Sequence, residues 1–252
     1  MPRSNTAWTS IFNKYFSKHD FNKEPAILTA DMIKDATHKF KTTGEREVRV
    51  LAKMDSREES PKILSDNGLF LLPTTNGEYA LIRGEGFIDI PEIKTKVIEY
   101  NSKLEFPLET ATVGDSEMQH LDYAYAVSVI RTFVEDSTLV LTIRGRKYTP
   151  HFSFNVGKFE LKVHSVQTEV DAGYEGKNQV VLVEAKNSAT TNTIIRQLYY
   201  PFRQWQSATS KKVLTVFFEK RGNIYSLWQF EFTEPNNYNS IKLVKSARYK
   251  IT

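Results

Sequence analysis

The segment Glu169 to Asn187, EVDAGYEGKNQVVLVEAKN, constrains the fold more tightly than any other part of the chain. Val180-Val-Leu-Val183 is an unbroken run of branched apolar residues, the composition of a strand buried on both faces near the centre of a sheet. A strand of that kind that closes on Glu184-Ala-Lys186 carries charge where burial is expensive unless the charge is used. Gly176-Lys177 offers a two-residue hairpin loop with Gly first, as a type II′ turn prefers. Facing residues then have numbers summing to 353, so that Glu169 faces Glu184 and Asp171, opposite Leu182, lies diagonal to Glu184. Because side chains alternate along a strand, Glu169, Asp171, Glu184 and Lys186 are expected on one face.

Carboxylates facing each other on adjacent strands repel, so the cluster implies a bound cation or carboxyl groups with displaced pKa values. An all-oxygen site with few protein ligands suits Mg²⁺, which keeps several waters and takes one or two carboxylates plus phosphate oxygens. Lys186 is then placed to hold a phosphate oxygen or to help deprotonate an attacking water, while the metal polarises the phosphoryl group. The competing reading of Glu-x-Lys is a solvated surface pair. Against it stand the buried character of Val180–Val183 and the turn that separates Asp171 from Glu184.

These residues resemble the PD-(D/E)XK nuclease superfamily. Asp171 matches its first metal-binding acid, Glu184 the second and Lys186 the catalytic lysine; Val170 stands where the family has Pro, so Glu169 is a candidate to share the role of Asp171. The segment Arg196-Gln-Leu-Tyr-Tyr-Pro201 resembles the helix that carries a Gln in RecB-like and many restriction nucleases, which makes Gln197 a site candidate. The order of elements and the length look most like a type II restriction endonuclease. The resemblance implies an α/β fold with a restriction-endonuclease-like core, a central mixed β-sheet flanked by helices. It also implies Mg²⁺-dependent, sequence-specific hydrolysis of double-stranded DNA to 5′-phosphate and 3′-hydroxyl ends, with Asp171 and Glu184 as metal ligands. A homodimer suits a palindromic site, and a cognate DNA methyltransferase would be the functional companion.

Composition narrows the alternatives. With 252 residues the chain can bury one large or two small cores. It has no cysteine, which excludes disulfides and thiolate metal sites. The opening residues lack an apolar signal segment and no run reaches the ~18 apolar residues of a membrane span, so a soluble cytoplasmic protein is expected. The net charge of +4 hides an asymmetry. Residues 1–136 carry 17 Lys and Arg against 22 Asp and Glu, whereas residues 137–252 carry 17 against 8. Positive charge around a small acidic cluster fits a surface that follows phosphates. HExxH, GxSxG and P-loop spacings are missing from the sequence.

Apolar spacing predicts a helix over 6–18, with Trp8, Ile11, Phe12, Tyr15 and Phe16 on one face, and a second helix capped by Thr29. Leu69–Pro73 and Glu78–Ile82 flank Thr-Thr-Asn-Gly77, a hairpin signal. We therefore expect an N-terminal α+β region, residues 1–112, as a scaffold or DNA-recognition domain, and a nuclease domain, residues 113–252. In the latter, one long helix is expected over 117–135, strands at 139–144, 151–155, 159–171, 179–186, 213–219 and 225–232, and a helix from about Asn192 that Pro201 bends or ends.

Candidate DNA contacts are Asn187, Ser188, Thr191 and Asn192 in the polar segment after Lys186, Arg196, Arg203 and Gln204 on the following helix, and Arg144 and Arg146 in a basic turn. Arg suits guanine and Asn or Gln suits adenine, although phosphate contacts and ordinary surface roles use the same residues. A structure-selective repair nuclease or junction resolvase could employ the same core, and a noncatalytic DNA-binding module could retain its sheet.

Overall fold

Two buried apolar strands organise the chain. In the computed structural model, which describes residues 4–252 apart from the side chain of Thr112, the first is β2 (Leu69–Thr75) and the second β10 (Gln179–Lys186). The N-terminal module runs α1 (Asn5–Tyr15), β1 (Ala26–Thr29), α2 (Ala30–Thr37), α3 (Thr43–Arg46), α4 (Val48–Leu51), α5 (Lys62–Ser65), β2 (Leu69–Thr75) and β3 (Glu78–Arg83). Trp8 and Ile11 are buried on the inner face of α1, and the Thr29 hydroxyl caps α2 by accepting the Met32 N–H at 3.2 Å. The expected hairpin forms, with Gly77 at φ +77° in its turn, and β1 joins it in an antiparallel sheet of order β1-β3-β2.

Both faces of this small sheet are covered. Leu69 and Leu71 pack with Trp8, Ile11 and Ile33, while Phe70 and Leu72 pack on the other side with Phe154, Tyr199 and Tyr238. That two-sided burial is why β2 reads as a continuous apolar run instead of alternating. It also fastens the N-terminal helices to the remainder of the molecule.

The remaining elements are β4 (Phe87–Asp89), β5 (Ile98–Tyr100), α6 (Glu117–Ala126), α7 (Val129–Val134), β6 (Val140–Tyr148), β7 (Phe152–Val156), β8 (Phe159–Val163), β9 (Gln167–Glu175), β10 (Gln179–Lys186), β11 (Asn192–Ile194), α8 (Arg196–Gln206), β12 (Lys212–Arg221), β13 (Ile224–Phe232) and β14 (Ile241–Ile251). Seven strands form a mixed sheet of order β5-β14-β13-β12-β10-β9-β6. β10 runs parallel to β12 and antiparallel to β9. Leu121, Ile130 and Phe133 of α6 and α7 cover one face with Val181, Val183 and Val216. On the other face Trp205 of α8 packs with Val180 and Leu182. The fold is thus mixed α/β, a large sheet flanked by helices, with an α+β region before it. β5, which precedes the expected division at residue 112, is an edge strand of this sheet beside β14. No helix among the described residues is long and apolar enough to cross a membrane.

Several local expectations change. The helix expected over 117–135 is two helices, because Ser128 takes a left-handed conformation at φ +71°. The strand expected over 159–171 divides at Ser165, φ +53°, into β8, which pairs only with β7, and β9. Asn192 does not start a helix; it lies in β11, opposite Asp89 of β4. Pro201 sits inside α8, which continues to Gln206.

The most consequential change is the β9–β10 register. Val180 faces Glu175 and Val183 faces Ala172, and Gly176 N–H bonds the Gln179 carbonyl at 2.8 Å. The turn is therefore Lys177-Asn178, one residue later than expected, and its glycine serves a different need. A Cβ on Gly176 would lie 2.3 Å from Asp136 Oδ2, and that carboxylate also accepts the Gln179 side-chain amide at 3.0 Å. Close packing against Asp136, not the turn conformation, calls for Gly there.

Candidate active site

The corrected register brings Asp171, not Glu169, level with Glu184. Backbone pairing of β9 with β10 stops at Val183–Ala172, while β10 stays parallel to β12 as far as Lys186–Glu219. The strands part at this point, and Asp171 fills the gap by accepting the Ala185 backbone N–H on Oδ2 at 2.7 Å. The fork lies at the carboxyl ends of the two parallel strands β10 and β12, the end at which open α/β sheets bind ligands.

A bulge explains what happens to Glu169. Between the pairs Ile143–Gly173 and Gly145–Val170, β9 advances three residues while β6 advances two. The alternation of β9 inverts there. Ala172 and Tyr174 face the α6–α7 core, whereas Val170 packs with Leu182 beneath α8. Glu169 is left half-exposed, paired with Arg146 at 3.4 Å. The expected four-residue face is reduced to three, with Glu169 at the rim of the cleft.

Lys186 Nζ donates to Glu184 Oε1 at 2.6 Å, and the Glu184 side chain is only 10% exposed. Burial pushes the Glu184 carboxyl up to about 7, despite the opposing pull of the Lys186 ammonium; the Asp171 charge adds to the rise. Asp171 is also raised by burial, partly offset by the Ala185 N–H and Lys186. For Lys186 burial works downward, but the charge and hydrogen bond of Glu184 outweigh it and hold the ammonium above its usual range. Both carboxyls are thus held toward their protonated forms chiefly by burial, and the Lys186 ammonium offsets this only in part.

The donor set suits a hard divalent cation. Two carboxylates meet at the fork, and among the described residues no group of three His, Cys, Asp or Glu side chains stands ready to hold a metal. Two protein ligands are what Mg²⁺ commonly takes, with water and phosphate completing an octahedron. Asp171 and Glu184 fit that role.

The fork opens into a cleft of about 620 Å³ lined by Asp171, Glu184, Lys186, Arg196 and Gln197. Gln197 reaches it from the first turn of α8, its Oε1 accepting the Thr193 hydroxyl at 2.7 Å. Glu117 and Asp55, neither among the residues expected at the site, also line the cleft. Ser116 caps α6 by accepting the Gln119 N–H, a capping-box spacing visible in Ser-Glu-Met-Gln119. That cap aims the start of the helix, with Glu117, at the Asn187 N–H, 3.3 Å away. For Asp55 no sequence signal exists.

The candidate DNA contacts separate into two groups. Asn187, Ser188 and Thr191 are exposed on the loop after β10, Arg196 lines the cleft and Arg146 lies at its edge beside Glu169. The others serve the fold. Asn192 is buried, accepting the Arg57 N–H and donating to the Glu58 carboxylate. Arg203 lies over Phe152 and donates to the Ser153 and Pro235 carbonyls. Gln204 accepts from Thr168 and donates to the Tyr148 carbonyl, and Arg144 pairs with Asp122.

Residues 82–250 match a family model described as a domain of unknown function, DUF6997. The chain belongs to the DUF6997 family. Residues 5–81 match a second domain of unknown function, DUF6996, so the two models meet inside β3. Asp171, Glu184, Lys186 and Gln197 all lie in the DUF6997 portion, while Asp55 reaches their cleft from the DUF6996 portion. No curated protein and no solved structure matches the chain.

Proposed function

We propose that this protein is a Mg²⁺-dependent endonuclease of the type II restriction class, with a PD-(D/E)XK core that hydrolyses double-stranded DNA. One observation carries the reading: two opposed carboxylates and a lysine gather where β9 and β10 part, in the floor of a cleft with Arg196 on its wall. Asp171 and Glu184 would hold magnesium, which supplies Lewis acidity for attack at phosphorus. Lys186, next to Glu184, would direct its ammonium to a phosphate oxygen or to the attacking water. Water adds to phosphorus, the P–O3′ bond breaks, and the departing oxygen leaves as a 3′-hydroxyl beside a 5′-phosphate. Arg196 adds positive charge where the scissile phosphate would lie. A homodimer would present two such sites to a palindrome, with a methyltransferase protecting host DNA.

The test is digestion of unmethylated plasmid and phage DNA with Mg²⁺ or EDTA, beside Lys186→Ala. Discrete Mg²⁺-dependent fragments from wild type alone, with one sequence shared at their ends, are expected. Fragments lacking a common sequence, or cleavage confined to branched DNA, would replace restriction with structure-selective repair. Intact DNA throughout would sink the catalytic reading.

A further inference from the structure

The cleft does not end at the carboxylates. Arg49, Lys53 and Gln167 line both it and an adjoining groove of about 1120 Å³, which continues past Arg146 between the N-terminal module and the β6–β9 edge of the large sheet. The two together exceed the ~300–1,000 Å³ of pockets that enclose a small ligand. A long open groove suits an extended polymer.

The cations on its N-terminal wall are solvent-exposed. The Arg49 side chain is 85% exposed and approaches Glu47 only to 4.0 Å, and Lys53, 68% exposed, meets Asp55 at 3.1 Å. Of the acids near them, Asp55 is the partner of Lys53, while Glu59 accepts the Asp55 backbone N–H and Glu58 takes the Asn192 amide at the groove's edge. Across the cleft stands Arg196, which makes no ion pair within 4 Å among the described residues. Arg49, Lys53 and Arg196 thus line the same cleft as the carboxylate pair, together with Asp55, Glu117 and Glu169.

We propose that Arg49 and Lys53 form a phosphate-binding arm, by which the N-terminal module holds the DNA backbone as it passes Asp171 and Glu184. The identity of the ligand rests on the nuclease reading above; the arm itself rests on the groove and its cations. Contacts of this kind neutralise phosphates irrespective of sequence, so they set affinity and salt dependence and leave base recognition to other residues.

The full chain carrying Arg49→Glu and Lys53→Glu, both exposed enough to leave the fold intact, tests the arm. Binding to a short fluorescein-labelled duplex is read by anisotropy over a range of salt, with Ca²⁺ in place of Mg²⁺ to prevent cleavage. The variant should bind at least about tenfold more weakly at ~0.1 M salt, and its log–log salt slope should fall by about 2, one for each lost phosphate contact. A control with the same change in charge, Lys23→Glu with Lys34→Glu, lies outside the groove and should keep the wild-type slope. If wild type binds and the Arg49/Lys53 variant matches it in affinity and slope, the arm is wrong and the nuclease reading stands. If the control loses as much as the variant, net charge explains the effect and the arm is again overturned. Wild type that binds no duplex removes the nuclease reading, and with it the ligand of the arm.

Discussion

The Asp171 carboxylate accepts the backbone N–H of Ala185 at 2.7 Å, so one candidate metal ligand also closes the gap left by the parting strands. These two duties separate by mutation. Asp171→Asn keeps an acceptor for Ala185 and should retain nearly wild-type stability while losing Mg²⁺-dependent cleavage. Asp171→Ala leaves a buried N–H without a partner and should cost about 1–3 kcal/mol. Urea unfolding of both variants checks this; equal destabilisation would mean that the hydrogen bond contributes nothing.

Glu184 gives the site a pH dependence with a definite sign. Its carboxyl lies at about 7 in the fold against an ordinary 4.5, so the folded protein holds this proton more tightly than the unfolded chain does. Its contribution to metal-free stability is complete below the ordinary value and is lost as pH rises through about 7. Magnesium can take the carboxylate only once the proton has left, so its stabilising effect should grow between about pH 6 and about pH 8. Thermal melts with and without Mg²⁺ measure this. The same gain at both pH values, or an undiminished gain in Glu184→Gln, would exclude Glu184 as a ligand.

The loop that follows Lys186 is held by Glu219, whose side chain is only 3% exposed. It accepts the Thr190 N–H at 2.9 Å and pairs with Arg221. Because Glu219 stands level with Lys186 on the neighbouring parallel strand, its removal should disturb the end of β10. Glu219→Ala is expected to cost about 1–3 kcal/mol and to speed hydrogen exchange at Thr190, with a rise in KM larger than any fall in kcat. Unchanged exchange at Thr190 would show that the loop is held by other contacts.

Asn192 ties β11 to the N-terminal module through Arg57 and Glu58. Asn192→Ala should therefore lower stability by about 1–3 kcal/mol, with no change in DNA affinity among the molecules that remain folded. Anisotropy well below the melting temperature distinguishes this from base recognition, which would weaken binding and leave the melting temperature unaltered.

The legible parts of the sequence were those written in neighbouring residues. Val180–Val183 is a central strand because an unbroken branched run can be satisfied only by burial on both sides. Thr29 announced its helix, and Thr-Thr-Asn-Gly77 its turn, because caps and turns draw on residues within one or two positions. β14 went unseen because it is only partly buried and mixes Lys, Ser and Arg with its apolar residues. β11 went unseen for another reason: three residues become a strand only because β4, a hundred positions earlier, pairs with them.

The sequence by itself determined that Asp171, Glu184 and Lys186 would be carried to one end of a buried hairpin, since their spacing and the alternation of strands are local properties. Which carboxylates meet was decided by tertiary structure. The turn lies one residue later than the local spacing implies, and the bulge against β6 leaves Glu169 turned out to Arg146. Arg49, Lys53 and Asp55 reach the same cleft only because both faces of the β2–β3 hairpin are buried, one against the N-terminal helices and the other against the central core. Contacts between residues more than a hundred positions apart depend on how whole elements pack, and no short stretch of sequence encodes that.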